Sequence, residues 1–171
     1  MAQGDLVQRM LGAATLNVDT FEEVEADESA TMQAATVVAM VAVASAIGGA
    51  GNENTSLLFA PVAQILGWLI WAGVTYLIGS KIFGGTASWG ELLRTLGFAQ
   101  SPGLLYLLAI IPLVGWVIRL VVPFWILWAG VIAVRQALDF STGKAVLTVL
   151  IGWVAMIIPA LMLGGLIAFG N

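Results

Sequence analysis

The chain predicts an all-α polytopic membrane protein, a bundle of five transmembrane helices behind a short amphipathic and acidic N-terminal segment. Three observations carry that prediction. First, five stretches without a charged residue, 29–52, 54–80, 95–118, 120–134 and 145–171, fill most of the sequence. A helix needs about 20 mostly apolar residues to cross a hydrocarbon core of about 30 Å, and four of the five stretches reach that length. Second, a mean hydropathy of +1.01, with 60% hydrophobic and 9% charged residues, leaves too little polar surface to cover 171 residues in water. Third, charge gathers at span ends and above all in one segment, where Asp19, Glu22, Glu23, Glu25, Asp27 and Glu28 stand without a Lys or Arg between them.

Composition also removes whole chemistries. With no Cys and no His there is no disulfide, thiol nucleophile, Cys/His zinc site, histidine-ligated haem or histidine base, so neither a metal nor another cofactor is expected. The net charge of −4 argues against nucleic acid as a partner. The first residues lack the basic start and apolar run of a secretory signal, so the first span is expected to direct insertion. Counting Lys and Arg beside each short loop puts Arg9, Lys81, Arg94, Arg135 and Lys144 on one side and Arg119 on the other. This predicts a cytoplasmic N-terminus, an outer C-terminus and residence in the plasma membrane. The sequon Asn54-Thr55-Ser56 then falls in an outer loop too close to the membrane for glycosylation, and the short loops fit a prokaryotic protein.

Two regions follow: a cytoplasmic N-terminal segment, 1–28, and a transmembrane domain, 29–171, with spans at about 31–50, 58–80, 92–114, 118–136 and 145–169. Within the first, Leu6, Val7, Met10, Leu11 and Ala14 make one apolar stripe, as in a helix lying on a membrane surface. Thr20 to Glu23 has the spacing of a capping box and starts a second helix, 21–25. Span 1 ends in the glycine-rich exit 48–52, and Pro61 is tolerated in the first turn of span 2. A second capping box, Ser88-Trp89-Gly90-Glu91, should start span 3, with Glu91 and Arg94 paired at three-residue spacing. Inside that span Pro102 removes a helical hydrogen bond beside Gln100, Ser101 and Gly103, which predicts a kink or break. Span 4 has only fifteen uncharged residues, flanked by Arg119 and Arg135, and an Arg135–Asp139 ion pair precedes the turn into span 5.

Three groups of residues are candidates for function. Trp71, Gln100, Trp128 and Trp153 fall eight or nine residues in from the cytoplasmic end of their spans and, with Ser101 and Pro102, would share one intramembrane polar and aromatic layer. Indole donors at that depth need acceptors, so the layer either packs the bundle or meets a lipid, quinone or pigment tail. Glu22, Glu23, Glu25 and Asp27 beside the apolar pair Phe21 and Val24 could dock a basic partner surface; the alternative is a solvated collar around span 1. Ala160, Gly164 and Ala168 form a small-residue stripe on span 5, serving either a contact within the bundle or a seam for self-association. No carboxylate lies at mid-span, which disfavours proton coupling.

Three stretches, 20–27, 83–85 with 91–99, and 135–138 with 143–145, carry a resemblance to the Yip family of five-span membrane proteins, extending over roughly residues 18–169. Eukaryotic members bind Rab-type GTPases as membrane adaptors of vesicle traffic and have no established catalytic centre. The resemblance therefore implies a non-enzymatic membrane protein. The long acidic, tyrosine-containing tail of those members is shortened here to about 30 residues, which counts against GTPase binding. The function expected is that of a scaffold, adaptor or accessory subunit, in contact with membrane lipids and with protein partners or its own copies. The alternative is a carrier or channel for a lipid-like or neutral small solute, using the broken third span.

Overall fold

The computed structural model describes residues 5–49 and 59–169, with side chains for 5–49 and 61–155. No strand occurs among them. The chain begins with a helical hairpin, α1 (Leu6–Ala14) and α2 (Val18–Ala26), turned through Leu16 at a φ of 65°. The cap of α2 is Asn17, whose side chain accepts the Thr20 amide, so the helix starts earlier than the Thr20 capping box predicts. On α1 the apolar stripe is also displaced. Met10 and Ala13 are buried together with Arg9, whereas Val7 and Leu11 are exposed. The helix is rotated because Arg9 turns inward to meet the acids of α2.

α3 (Ala30–Gly48) is the hub of the bundle. Its buried face is almost wholly Ala and Val, and such small or stiff side chains let neighbouring backbones come close. α4 (Phe59–Tyr76) does not finish as an ordinary helix but in a π-helical turn, Leu77–Ile82, closed by the Phe83 amide donating to Ile78 O at 2.9 Å. α5 (Trp89–Phe98) is started by the predicted capping box: the Glu91 amide donates to Ser88 Oγ, and the Ser88 amide to Glu91 Oε2.

The predicted span 92–114 is not one helix. α5 ends at Phe98, and after Ala99 and Gln100 the chain continues as a ten-residue 3-10 helix, Ser101–Ile110, with Pro102 in its first turn. Such a run is unusually long for this tighter helix. Packing sustains it, because the segment lies between α3 and α6 and makes with both the most extensive helix contacts among the described residues. A Cβ at Gly48 would collide with the Tyr106 carbonyl, and one at Gly103 would lie 2.5 Å from Val41 Cγ1. Only glycine permits that approach.

Leu113, at a φ of 70°, turns the chain into α6 (Val114–Ala137), which carries Pro123 in its interior. The fourth helix therefore begins four residues before the expected boundary, and Gly115, Trp116 and Arg119 lie inside it. α7 (Thr142–Phe169) packs on α4 and α6. The expected Arg135–Asp139 pair is absent, since Asp139 at a φ of 54° turns away from the helix and accepts from Thr86 Oγ1 at 2.9 Å. Among the described residues, three helices are long and apolar enough to cross a membrane: Ala30–Gly48, Pro61–Ile82 and Val114–Ala137. The sequon and the side chains of Ala160, Gly164 and Ala168 lie outside the described residues.

Candidate functional site

Two arginines fasten the α1–α2 hairpin to the bundle. Arg9 is almost fully buried and donates to Glu23 Oε1 at 2.7 and 3.0 Å, to Asp27 Oδ2 at 2.7 Å and to Gln33 Oε1 at 2.8 Å, thereby joining α1, α2 and α3. Burial alone would lower the pKa of Arg9, but the hydrogen bonds and charges of Glu23 and Asp27 outweigh it and raise the net value. Asp27 is held below the usual carboxylate range by its Ser29 and Arg9 hydrogen bonds.

Arg94 does the corresponding work from α5. It is buried, and its guanidinium donates to the carbonyls of Val24 at 3.0 Å and Glu25 at 3.2 Å, with a further bond from Nη2 to Glu25 O. These are the carbonyls left without helical partners at the end of α2, where the helix dipole also favours a cation. The predicted Glu91–Arg94 pair does not form: Glu91 is held by the Ser88 cap. Among the described residues the ion pairs are those of Arg9 with Glu23 and Asp27. Trp125 completes the attachment by donating its indole N–H to Ala14 O at 2.9 Å.

The acidic candidates are consequently divided. Phe21 and Val24 are fully buried in the core, so the expectation that this pair anchors a partner is corrected: α2 spends them on packing against α5 and α6. Glu23 and Asp27 neutralise Arg9. Glu22 is exposed and accepts from Gln136 Nε2 at 2.7 Å. Glu25 is half-buried, and desolvation followed by the nearby Glu91 and Asp139 charges pushes its pKa up. What faces outward is a ridge of Asp19, Glu22, Glu28 and part of Glu23.

The intramembrane candidates also separate. Gln100 is 3% exposed, and its Oε1 accepts from Gln64 Nε2 at 2.6 Å, so the helix break is tied to α4. Ser101 bonds back to Phe98 O at 2.7 Å, and Pro102 is buried beside it. Trp71 lies in a slot made by two glycines. A Cβ at Gly130 of α6 would be 2.7 Å from its ring, and one at Gly152 of α7 would be 2.9 Å from Cδ1. Trp128 is 52% exposed and does not belong to the layer. Counting along a helix fixes depth but not direction, and α6 turns its small residues Ala129, Gly130 and Ala133 inward. Trp153 is half-buried.

Sequence reasoning missed Gln64, Gln33 and the inward direction of both arginines. The available signals were Gln64 as the lone amide within the predicted span 58–80, and Arg9 as the lone cation before six acids. Among the described residues no group of three or more His, Cys, Asp or Glu could hold a metal ion. The polar groups of the layer are amides, hydroxyls and indoles, which recognise and fasten but do not exchange protons near neutral pH.

Fold and site thus define a polytopic helical membrane protein whose buried polar residues join helices to one another. The Yip1 domain model matches residues 14–164, nearly the whole chain, and the protein belongs to the Yip1 family. That family is not a known enzyme family. Among curated proteins and solved structures, no significant match was found.

Proposed function

We propose that the protein is a non-enzymatic membrane adaptor that offers the acidic ridge of its N-terminal hairpin to a basic surface of a protein partner. In this reading it crosses the plasma membrane five times, α5 and the 3-10 helix together forming the third crossing, with the N-terminus in the cytoplasm and the C-terminus outside. One observation carries the proposal: Asp19 and Glu22 are exposed on a hairpin held to the bundle by Arg9 and Arg94, and Glu28 is exposed just after it. A ridge fixed in position loses little entropy on binding, and its charge steers a basic partner.

Purification in mild detergent followed by mass spectrometry should recover a partner that is lost when Asp19, Glu22 and Glu28 are changed together to Lys. Recovery of the protein alone in several detergents, or retention of the partner by the triple variant, would overturn the proposal. Cysteines placed singly at Asn54, Ser141 and Asn171 test the topology. An impermeant thiol reagent added outside should label the first and third only.

The alternative, a carrier or channel for a lipid-like or neutral solute, is supported by the break at Gln100 and the buried Gln64–Gln100 bond. Reconstituted vesicles should then scramble lipid or leak solute, and Gln100→Leu should slow that flux. An unchanged flux would remove the break from consideration.

A further inference from the structure

The end of the bundle where α4 finishes and α7 begins carries two lysines in an unusual setting. Lys81 is exposed in the π-helical turn, with Nζ 5.5 Å from the centre of the Tyr76 ring. Lys144 is exposed in the first turn of α7, with Nζ 5.4 Å from the centre of the Phe140 ring. Among the described residues neither forms an ion pair with a carboxylate. An aromatic face attracts an ammonium without neutralising it, so both charges stay available to an external anion.

The chain brings the two lysine-bearing turns together. The rings of Phe83 and Phe140 meet edge on at 6.3 Å, and a Cβ at Gly85 would lie 2.5 Å from Leu138 and 3.0 Å from Phe140. Gly79, inside the π-helical turn, packs against Leu138 as well. The turn after α4 and the turn before α7 are therefore locked together. Turns of the π type recur at functional sites because the added residue redirects the side chains around it. The neighbouring carboxylates are committed elsewhere, Asp139 to Thr86 and Glu91 to the cap of α5.

Each lysine also tops an exposed apolar strip on its own element. Leu77, one turn before Lys81, is 57% exposed, and Leu147, one turn after Lys144, is 49% exposed with Leu150 and Ile151 beyond it. Two cations at the head of two lipid-facing strips match an anionic headgroup with its acyl chains. We propose that Lys81 and Lys144 form a binding site for one anionic phospholipid, the phosphate lying between the ammonium groups and the chains lying on Leu77 and Leu147. The lipid strips argue for a membrane lipid over a soluble phosphate. The site is independent of the adaptor reading, since it lies on other elements and needs no partner protein.

Native mass spectrometry of the full chain in detergent, titrated with phosphatidylglycerol or with phosphatidylcholine of matched chains, tests the site. A lysine near an anionic headgroup is worth about fivefold in affinity. Wild type should therefore bind one phosphatidylglycerol in clear preference to phosphatidylcholine, Lys81→Gln and Lys144→Gln should each reduce that preference about fivefold, and the Lys81→Arg, Lys144→Arg double variant should keep it. Arg135→Gln should leave it unchanged. The proposal is overturned by wild type without the preference, by a double Gln variant that retains it, by an equal loss in Arg135→Gln, or by displacement of the lipid with glycerol phosphate at equal concentration.

Discussion

The α2–α3–α5 side of the molecule and the α4–α7 side are built on opposite principles. The first is joined by charge: Arg9 and Arg94 reach across three elements and satisfy carboxylates, an amide and helix-end carbonyls. The second is joined by shape. Trp71 fills the slot between Gly130 and Gly152, Thr148 returns its hydroxyl to Lys144 O within its own helix, and Trp71 Nε1 and Thr75 Oγ1 are buried without a hydrogen-bond partner. Losing a cation on the first side strands several polar groups at once, whereas the second side has only contacts to lose. Charge-assisted bonds also set direction, so they suit a segment that must present a ridge at one fixed angle. Close packing suits two helices that only need to stay together.

Substitutions should separate the two principles. The largest effect is expected for Arg94→Ala, which leaves the Val24 and Glu25 carbonyls bare and should cost about 3 kcal/mol in detergent unfolding, with early proteolysis within residues 14–29. An Arg94→Ala protein as stable and as protease-resistant as wild type would remove the clamp from the account. Gly130→Leu should cost about 2 kcal/mol by overpacking Trp71, while the hairpin remains protected from protease. Loss of hairpin protection in that variant would mean that the two sides are not independent. Gln100→Leu should cost about 1 kcal/mol, the usual worth of a hydrogen bond between membrane helices, and the same loss should appear in Gln64→Leu without adding to it.

The smallest effect is electrostatic and depends on pH. The pKa of Glu25 is raised in the folded protein, so folding favours its neutral form, and that advantage is complete below the ordinary carboxylate value and lost as pH rises through the folded one. Glu25→Gln should therefore raise the melting temperature slightly at pH 7 and leave it unchanged near pH 4. Asp27 has the opposite sign: its lowered pKa adds stability above the ordinary aspartate value that is lost as pH falls through the folded one. Asp27→Asn should destabilise at pH 7 and become neutral in strong acid. Equal effects at both pH values in either variant would show that the charge is not what matters.

The legible parts of the fold were those set by local sequence. Uncharged length marks the apolar helices, and the Ser88–Glu91 box forms where its spacing places it because both partners lie within one turn. Pro102 gave away the end of α5 but not the 3-10 helix that follows, since a proline limits its own turn and only α3 and α6 can sustain ten residues of tighter winding. The arginine partners were hidden for a different reason. Arg94 meets carbonyls some 70 positions earlier in the chain, and a carbonyl leaves no mark in a sequence. Trp128 shows the limit of counting depth, because a bulky indole was grouped by height with residues that face the other way.

The central claim is that the acidic ridge is held at a fixed position on the bundle. The absence of native cysteine allows spin labels to be placed at two exposed positions, Asp19→Cys on α2 and Arg135→Cys on α6, and their separation measured by electron–electron dipolar spectroscopy in lipid nanodiscs. One narrow distance distribution is expected, and it should broaden when Arg94 is changed to Ala. A broad distribution in the otherwise native chain, or one that Arg94→Ala leaves unaltered, would contradict that claim.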